Sequence, residues 1–472
     1  MNLNQTLQEK YPHLEVSVLK LSEVQKDNES KRIDSEFFKK EYFDAMETMQ
    51  LNQVEYLGDN MKFNSRYLQP KYDETSKIKV INSQYIRNEY IDYENAKSGY
   101  GKIVPKESVL INATGVGTLG RVFINILDFD FSIDSHINVI VVKNKTYLNP
   151  YFLAIFLQSY YGQIQIIRYY SGTSGQIEIY PRDFNYFKIP IFPMEFQLEI
   201  QNLVKDSHKA LEESKELYKK AEETLYLELG LDPKNPLQSL LDSKTNNPTN
   251  SPNISIHTLK ESFLKTGRLD SEYYQSKYED IEKFIKSYPN GYDSFSSIIN
   301  NKDTNFTPKN NENYSYIELA NIGNNGNISE PISDLGKNLP TRARRIVSKG
   351  DVIISSIEGS LSSCALITQE FDKHLVSTGF FVLNSKLLNG ETLLVMFKSQ
   401  IFQEYLKKFP SGTILCATNK EELSKILIPK IDSTTQEKIA KYIQESFNLR
   451  KKSKQLLDNA KIKVEEQIQG KI

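Results

Sequence analysis

The sequence predicts an α+β protein that consists of two similar globular units, each followed by a long helix. Segments of the first half of the 472-residue chain recur in the same order in the second half. Two stretches carry a heptad pattern of apolar residues, and short β-branched runs such as Ile137–Val142 are interspersed with single helices. These runs and helices do not alternate regularly, so a βαβ succession is not indicated.

The repeat is visible along the whole chain. Arg32–Phe38 (RIDSEFF) recurs as Arg268–Tyr274 (RLDSEYY), 236 positions later, and the offset then stays between 236 and 243. The other matching segments are Val16–Val18 with Ile254–Ile256, Val109–Ile111 with Val352–Ile354, Ser171–Thr173 with Ser411–Thr413, Ile189–Pro190 with Ile428–Pro429, and Gln197 with Gln436. Unrelated segments that merely share a bias in Ile, Lys and Ser would not keep this order, so we interpret the chain as an internal duplication.

Each unit ends in a helical pattern whose apolar and small residues alternate at spacings of four and three. This heptad seam predicts that the two helices face each other, against the alternative of two separate surface helices. Small serines in the middle of the seam allow close approach. The predicted seam residues are Ile200, Val204, Leu211, Tyr218 and Leu225 in the first helix and Ile439, Ile443, Leu457 and Val464 in the second.

These patterns divide the chain into five parts. Residues 231–253 are rich in Pro and Asn and predict a linker that lets the second helix return antiparallel to the first. The predicted parts are a first globular domain (1–193), a central spacer helix (194–230), the linker (231–253), a second globular domain (254–432) and a distal spacer helix (433–472).

Composition excludes several classes of protein. The chain has 59 Lys and Arg against 60 Asp and Glu, a net charge of −1, which excludes a uniformly basic nucleic-acid coat. Two cysteines, Cys364 and Cys416, are too few for a disulfide framework or a cysteine zinc site. The N-terminus lacks the layout of a signal peptide, so we expect a cytoplasmic protein without a membrane segment.

The sequence contains no complete catalytic motif. Gly115-x-Gly117-x-x-Gly120 has the dinucleotide spacing, but a second strand is predicted where that fingerprint requires a helix, so a glycine hairpin is favoured. Asn149–Phe152 lacks the second proline of a methyltransferase loop, and a helix with Asn149 as its N-cap explains it. No Walker loop or clustered metal-binding carboxylates are present. We therefore expect no catalysis, metal or cofactor in this chain.

Two similar domains joined through paired helices suggest a protein that contacts its ligand at two separate points. A helix over Glu195–Gly230 would be ~54 Å long. That length can place two domains about one turn of duplex DNA apart, ~34–36 Å. Such a protein would read two half-sites, which need not be identical because the two copies have diverged.

The residues resemble one known family, the specificity (S) subunits of type I restriction–modification systems. Phe187–Gln197 is similar to that family's proline-rich segment before a conserved helix, and Leu423–Gln436 is a weaker copy that departs at Lys430–Asp432. The openings RIDSEFF and RLDSEYY and the Ser-Gly-Thr turns also look like that family's domains. The resemblance covers nearly the whole chain, and the ordered duplication of these motifs makes it specific.

The resemblance implies two target-recognition domains that each read part of a split double-stranded DNA site. It also implies that the helices set the gap and dock two methyltransferase (M) subunits, which would use S-adenosylmethionine to methylate adenine. ATP-dependent restriction (R) subunits, with ATP and Mg²⁺, or a fused methyltransferase–nuclease would cleave unmodified DNA in defence against foreign DNA.

Candidate DNA-binding residues are local basic clusters and the repeated polar turns, because phosphate contacts supply affinity and base edges supply specificity. For each of them a solvated charge or a plain turn is the alternative. The candidates are Lys62, Arg66, Lys71, Arg87, Arg121, Ser171, Gly172, Thr173, Arg182, Arg342, Arg344, Arg345, Ser411, Gly412, Thr413 and Lys420.

A different class of function fits the same composition. A non-catalytic scaffold whose two domains bind protein, with the coiled coil as a spacer, would also be near neutral in charge. Co-purification of two methyltransferase copies with this chain would discriminate between the two functions.

Overall fold

The computed structural model describes residues 3–16, 18–28, 30–172, 175–242, 256–412 and 416–471. The chain forms two compact units, residues 1–212 with 450–472 and residues 213–449. Both units mix helices with sheets, so the predicted α+β class is confirmed. Residues 243–253 of the predicted linker lie outside the described residues.

The elements of unit 1 begin with short helices and continue into the sheets. Its strands are β1 (Val54–Tyr56), β2 (Met61–Arg66), β3 (Lys71–Tyr72), β4 (Lys79–Ile81), β5 (Lys97–Tyr100), β6 (Val109–Asn112), β7 (Val122–Ile124), β8 (Phe131–Ile133), β9 (Ile137–Val142) and β10 (Lys188–Pro190). Its helices are α1 (Leu3–Lys10), α2 (Leu21–Gln25), α3 (Lys40–Met49), α4 (Leu57–Asn60), α5 (Pro150–Gln158), α6 (Tyr160–Tyr169) and the first part of α7 (Met194–Glu228).

Unit 2 repeats this order of elements. Its strands are β11 (Tyr292–Ser294), β12 (Ile299–Asn301), β13 (Asn313–Ile317), β14 (Ile332–Leu335), β15 (Ala343–Ile346), β16 (Val352–Ser355), β17 (Cys364–Leu366), β18 (Leu375–Ser377), β19 (Phe380–Ser385) and β20 (Leu427–Pro429). Besides the end of α7, its helices are α8 (Pro236–Asp242), α9 (Phe263–Thr266), α10 (Ser276–Lys286), α11 (Phe295–Ile298), α12 (Gly390–Lys398), α13 (Gln400–Leu406), α14 (Lys420–Ser424) and the first part of α15 (Ser433–Ile468), whose end belongs to unit 1.

The sheets of the two units share one topology. The larger antiparallel sheet has the order β2-β9-β6-β7 in unit 1 and β12-β19-β16-β17 in unit 2. A second sheet contains one parallel pair in each unit, β4 with β8 and β13 with β18. The second sheets differ at their edges, because unit 1 adds β3 beside β5 whereas unit 2 adds β15 beside β18.

The larger sheet separates two apolar cores in each unit. Alternate residues of β6 point to opposite faces, so Val109 and Ile111 join a core with α5 and α6 while Leu110 joins the core against the second sheet. In unit 2, Val352 and Ile353 divide between two cores in the same way. Both faces are covered, which explains why these strands are continuous apolar runs.

The long helices pack as antiparallel partners in each unit. In unit 1 the Ser207 hydroxyl contacts the Ser453 hydroxyl at 2.9 Å, and Lys463 pairs with Glu199 at 2.8 Å. In unit 2 Ser214 contacts Ser446 at 3.1 Å. The Thr435 hydroxyl there donates to Glu228 at 2.7 Å. The structure buries all nine predicted seam residues, which are Ile200, Val204, Leu211, Tyr218, Leu225, Ile439, Ile443, Leu457 and Val464.

A buried glutamine joins each long helix to its own globular part. The Gln197 side chain accepts from the Asn149 amide at 2.7 Å and donates to the Tyr147 and Phe192 carbonyls at 3.0 and 2.8 Å. Asn149 in turn caps α5, whose first residue is Pro150, as predicted.

The same arrangement recurs in unit 2. The Gln436 side chain accepts from the Asn389 amide at 2.9 Å and donates to the Leu387 and Ile431 carbonyls at 3.1 and 2.9 Å. Asn389 caps α12. The repeated glutamines of the sequence therefore occupy equivalent structural positions.

Ser207→Leu is expected to destabilise unit 1 by about 1–3 kcal/mol, because a larger side chain overpacks the close contact with Ser453. Ser207→Ala removes only the hydroxyl and is expected to cost about 1 kcal/mol. Urea unfolding followed by far-UV circular dichroism measures both changes.

Lys209→Leu is the control, since residue 209 is exposed on the same helix. A wild-type unfolding free energy for Ser207→Leu would contradict the close packing of the helices at this position.

Candidate nucleic-acid interface

The repeated Ser-Gly turn of unit 1 is exposed and closed by backbone hydrogen bonds. Ser171 and Glu178 each donate an amide to the other's carbonyl at 2.8 Å. Gly172 has φ +116°, and a Cβ at this position would clash with the Gln176 carbonyl oxygen, so the turn requires glycine. Thr173, another predicted contact, lies outside the described residues.

Unit 2 forms the equivalent turn. Ser411 and Ala417 exchange amide-to-carbonyl hydrogen bonds of 3.0 and 3.1 Å. Gly412 has φ +139°. Thr413 lies outside the part of the chain that the structure describes. Both turns therefore share exposed Ser-Gly pairs in a fixed backbone frame.

The glycine run beside the first turn is a hairpin. β6 and β7 pair antiparallel on either side of it, and Gly115, Gly117 and Gly120 all have positive φ. The prediction of a hairpin is confirmed, because a strand follows the glycines where a dinucleotide site would need a helix. The Gly115 amide donates to the Ile177 carbonyl at 3.1 Å, so the hairpin contacts the Ser171 turn.

Two arginines flank the turn of unit 1. Arg66 forms an ion pair with Glu178 and donates to the Ile179 carbonyl. Arg182 is exposed, and its guanidinium carbon lies 5.4 Å from the centre of the Tyr180 ring. The guanidinium carbon of Arg66 lies 5.7 Å from the centre of the same ring. Burial opposes ionisation of Glu178, but the hydrogen bond from Arg66 holds the pKa of that carboxyl below its usual value. Arg66 is thus held in place, whereas Arg182 faces solvent.

Arg87 and Arg121 meet at the hairpin. Arg121 donates to the Gly117 carbonyl at 2.7 Å and to the Ile86 carbonyl at 3.3 Å, and Arg87 donates to the same Ile86 carbonyl at 3.1 Å. Burial, reinforced by the charge of Arg87, lowers the pKa of Arg121. Two half-buried cations therefore lie together at one end of the hairpin.

Lys62 and Lys71 are exposed on β2 and β3. Over the described ranges, no hydrogen bond or ion pair joins either lysine to the Ser171 turn. The structure therefore does not bring these two candidates together with the others.

The arginine cluster of unit 2 lies at β15, an edge strand of its sheet, with Arg344 and Arg345 on the strand and Arg342 just before it. Arg345 donates to the Phe380 carbonyl at 2.6 Å, and Arg344 donates to the Thr341 carbonyl at 2.6 Å. Arg342 is exposed. Burial lowers the pKa of Arg345. As in unit 1, the cluster combines arginines bonded to carbonyls with one that faces solvent.

This cluster connects to the second turn through the backbone. The Ser356 amide donates to the Gly379 carbonyl at 2.9 Å, next to the Phe380 carbonyl that Arg345 holds. The Thr418 amide donates to the Ser356 carbonyl at 2.8 Å. Lys420, at the start of α14, pairs with Asp303 at 2.5 Å. The arginines, Lys420 and the turn therefore belong to one connected region of unit 2.

Some residues near the candidate sites could not be identified from the sequence. His136 contacts the Thr114 hydroxyl at 3.0 Å beside the first turn, which depends on the pairing of distant strands. In unit 2 a groove of about 490 Å³ lies beside Lys420. Both apolar and polar residues line it, and the polar ones include Ser297, Asn300, Asn384 and Lys386. The motif Arg32-x-Asp34, in contrast, was visible as a repeat, although its role was not.

The described residues provide no metal cluster of three or more His, Cys, Asp or Glu side chains. None of the helices in the described ranges combines the length and apolarity that crossing a bilayer requires.

The described residues thus form two α+β units, each with an exposed Ser-Gly pair near several arginines. Residues 43–223 match the family model for the type I restriction modification DNA specificity domain. This match confirms the resemblance that the motifs predicted.

A curated relative and two solved structures are also similar. The HindI specificity subunit of a type I restriction enzyme from Haemophilus influenzae is 29% identical over 129 residues, which are 26% of this chain and 28% of that protein. The S subunit of a type I restriction–modification system from M. genitalium has 13% identity and a TM-score of 0.42, with 88% of this chain and 95% of that chain covered. The HsdS subunit from Thermoanaerobacter tengcongensis has 14% identity and a TM-score of 0.27, with 89% and 97% covered.

Gly172→Ala is expected to destabilise the first turn by about 1–3 kcal/mol, because the new Cβ meets the Gln176 carbonyl and the backbone φ is unfavourable. Hydrogen exchange of the Ser171 and Glu178 amides, which close the turn, measures the change.

Gly175→Ala is the matched control. Its φ is also positive, at +83°, but no atom lies within 4 Å of the added Cβ. Equal exchange rates in the two variants would contradict the steric requirement at Gly172.

Proposed function

We propose that this chain is the non-catalytic DNA-specificity subunit of a type I restriction–modification complex, and that it reads a bipartite double-stranded site. Residues 1–193 and 254–432 are the two target-recognition domains in this proposal, and residues 194–230 and 433–472 are the spacer helices. The observation that carries the proposal is the duplicated turn with flanking arginines, within a chain whose residues 43–223 match a DNA specificity domain.

The chemistry of each turn suits a DNA duplex. Small hydroxyl and glycine residues allow the backbone to approach phosphate or a groove edge closely, and guanidinium groups recognise phosphate and guanine. Arg182 in unit 1 and Arg342 in unit 2 are exposed arginines of these regions. We therefore assign phosphate contacts to this exposed pair first.

The arginines that hold carbonyls have a different role in this proposal. Arg66, Arg121 and Arg345 each donate hydrogen bonds to backbone carbonyls of their own unit. Such residues shape the surface that meets DNA. A near-neutral net charge is compatible with this division, because only the recognition surfaces need to be basic.

The partners follow from the proposed role. Two methyltransferase subunits would dock on the helices and use S-adenosylmethionine, and restriction subunits with ATP and Mg²⁺, or a fused methyltransferase–nuclease, would act on unmodified DNA. The complex would work in the cytoplasm. A pull-down that yields two methyltransferase copies per chain supports this assembly, whereas other protein partners support the scaffold alternative.

Methylome sequencing of cells with and without this chain tests the function. We expect a split adenine motif that disappears when the chain is deleted. Replacing Val16–Phe192 with the corresponding segment of another such subunit should change one half of that motif only, because each turn lies within its own unit. A change in both halves, or no motif that depends on the chain, would overturn the proposal.

A heptad insertion tests the role of the helices. One heptad added after Leu211, together with one after Leu449, lengthens each helix by about 10 Å and keeps the seam in phase. The gap between half-sites is expected to grow by about three base pairs, at 3.4 Å each.

The control for this experiment is a four-residue insertion at the same two positions. That insertion shifts the heptad phase and is expected to weaken helix pairing. An unchanged gap after the heptad insertion, with methylation retained, would contradict the spacer role.

A further inference from the structure

The repeated motif RIDSEFF forms a compact structure in unit 1. The Arg32 guanidinium binds the Asp34 carboxylate through two hydrogen bonds of 2.7 Å. Asp34 also accepts from the Phe37 amide at 3.1 Å, and the guanidinium carbon lies 5.0 Å from the centre of the Phe37 ring. The motif thus fixes its own arginine from two sides.

The remaining nitrogen of this guanidinium, Nη1, reaches across the unit. Arg32 Nη1 donates to the Tyr170 carbonyl at 2.8 Å and to the Arg168 carbonyl at 3.1 Å. These carbonyls lie at the C-terminal end of α6, where the helix leaves its last carbonyls without partners. Tyr170 immediately precedes Ser171, the first residue of the turn.

Unit 2 repeats these contacts with the RLDSEYY copy. Arg268 binds Asp270 through hydrogen bonds of 2.7 and 2.9 Å, and its guanidinium carbon lies 4.6 Å from the Tyr273 ring. Arg268 Nη2 donates to the Pro410 carbonyl at 2.8 Å, and Nη1 donates to the Phe409 carbonyl at 3.1 Å. Pro410 immediately precedes Ser411.

The arginine of each copy also acts on the titration of its own aspartate. The hydrogen bond from Arg32 lowers the pKa of Asp34, and the hydrogen bond from Arg268 lowers the pKa of Asp270. Only guanidinium can bind a carboxylate with two parallel bonds and still donate to a carbonyl on its other edge. Lysine lacks this planar fork.

We infer that Arg32 with Asp34, and Arg268 with Asp270, are positioning clamps that each hold the Ser-Gly pair of their own unit, Ser171–Gly172 or Ser411–Gly412, in place for DNA contact. This inference rests on the proposed function for its link to DNA, and on the contacts alone for its effect on the turn. The clamp residues stabilise the turn by binding the backbone carbonyls of the residues just before it. Other residues contact DNA.

Hydrogen exchange of the purified full-length chain tests the structural part. Arg32→Ala is expected to speed exchange of the Ser171 and Glu178 amides about tenfold, the factor of a lost charge-assisted hydrogen bond. The Ser411 and Ala417 amides should keep their wild-type rates. Arg268→Ala should give the reverse pattern, so each variant serves as the matched control of the other.

Two further variants separate the clamp from a general loss of charge. Arg32→Lys keeps the positive charge without the fork, and it should rescue exchange only in part. Lys39→Ala removes a nearby, partly exposed cation that pairs only with Glu36 among the described ion pairs, and it should leave the turn unchanged. Wild-type exchange rates in both arginine variants would overturn the clamp.

Methylation kinetics with the assembled complex test the link to DNA. Oligonucleotides carry the intact site, a base change in the first half-site, or a base change in the second. Arg32→Ala should raise the KM for intact DNA about tenfold with kcat within twofold, and reduce discrimination in one half-site only. Arg268→Ala should affect the other half-site.

The outcomes separate the two hypotheses. Faster exchange with unchanged discrimination in both half-sites would overturn the positioning role. Equal loss of discrimination in both half-sites from one variant would also overturn it, because each clamp contacts only its own turn. If the wild-type complex shows no sequence preference, the proposed function fails, and the exchange pattern alone decides whether the arginines hold the turns.

Discussion

The buried side-chain amide of Gln197 is the contact on which the geometry of unit 1 depends. It binds the backbone at Asn149, Tyr147 and Phe192 at once. An unsatisfied buried amide is costly, so this side chain fixes where α7 begins relative to the cap of α5. Gln436 imposes the same constraint on α15 and α12. Each long helix is therefore attached rigidly to the globular part from which it emerges.

The long helices, the hairpin and the turns were predictable from the sequence because their signals are local or periodic. The heptad spacing predicted the seam, and glycines at Gly115 to Gly120 predicted the hairpin. The partners of Arg66 and Arg345 were not predictable, since each reaches a carbonyl on a segment far along the chain. Sequence spacing alone does not tell a solvated arginine from one that binds backbone.

The Arg-x-Asp motif illustrates the same limit. Its repetition was evident, and the Arg32–Asp34 pair is local enough to be expected. The carbonyls that complete the contact lie 136 and 138 residues away, so only the fold could identify them.

The units differ most at the edges of their second sheets, where β3 in unit 1 and β15 in unit 2 lie at opposite sides. The addition in unit 2 reaches the interior, because Ala343 of β15 packs in a small buried cluster with Tyr316 and Leu375.

The buried serines of the helix seam have a consequence for how such a protein changes over evolution. A slip of the helices by one heptad would place Ser207 opposite Ala460 in one direction, or Ser214 opposite Ile439 in the other, and would leave a buried hydroxyl without its partner. Both slipped registers are therefore disfavoured. The helices cannot drift gradually past each other. On the proposed function, the distance between half-sites is therefore a discrete trait, inherited in steps of whole heptads, so a new spacing arises in one mutational event.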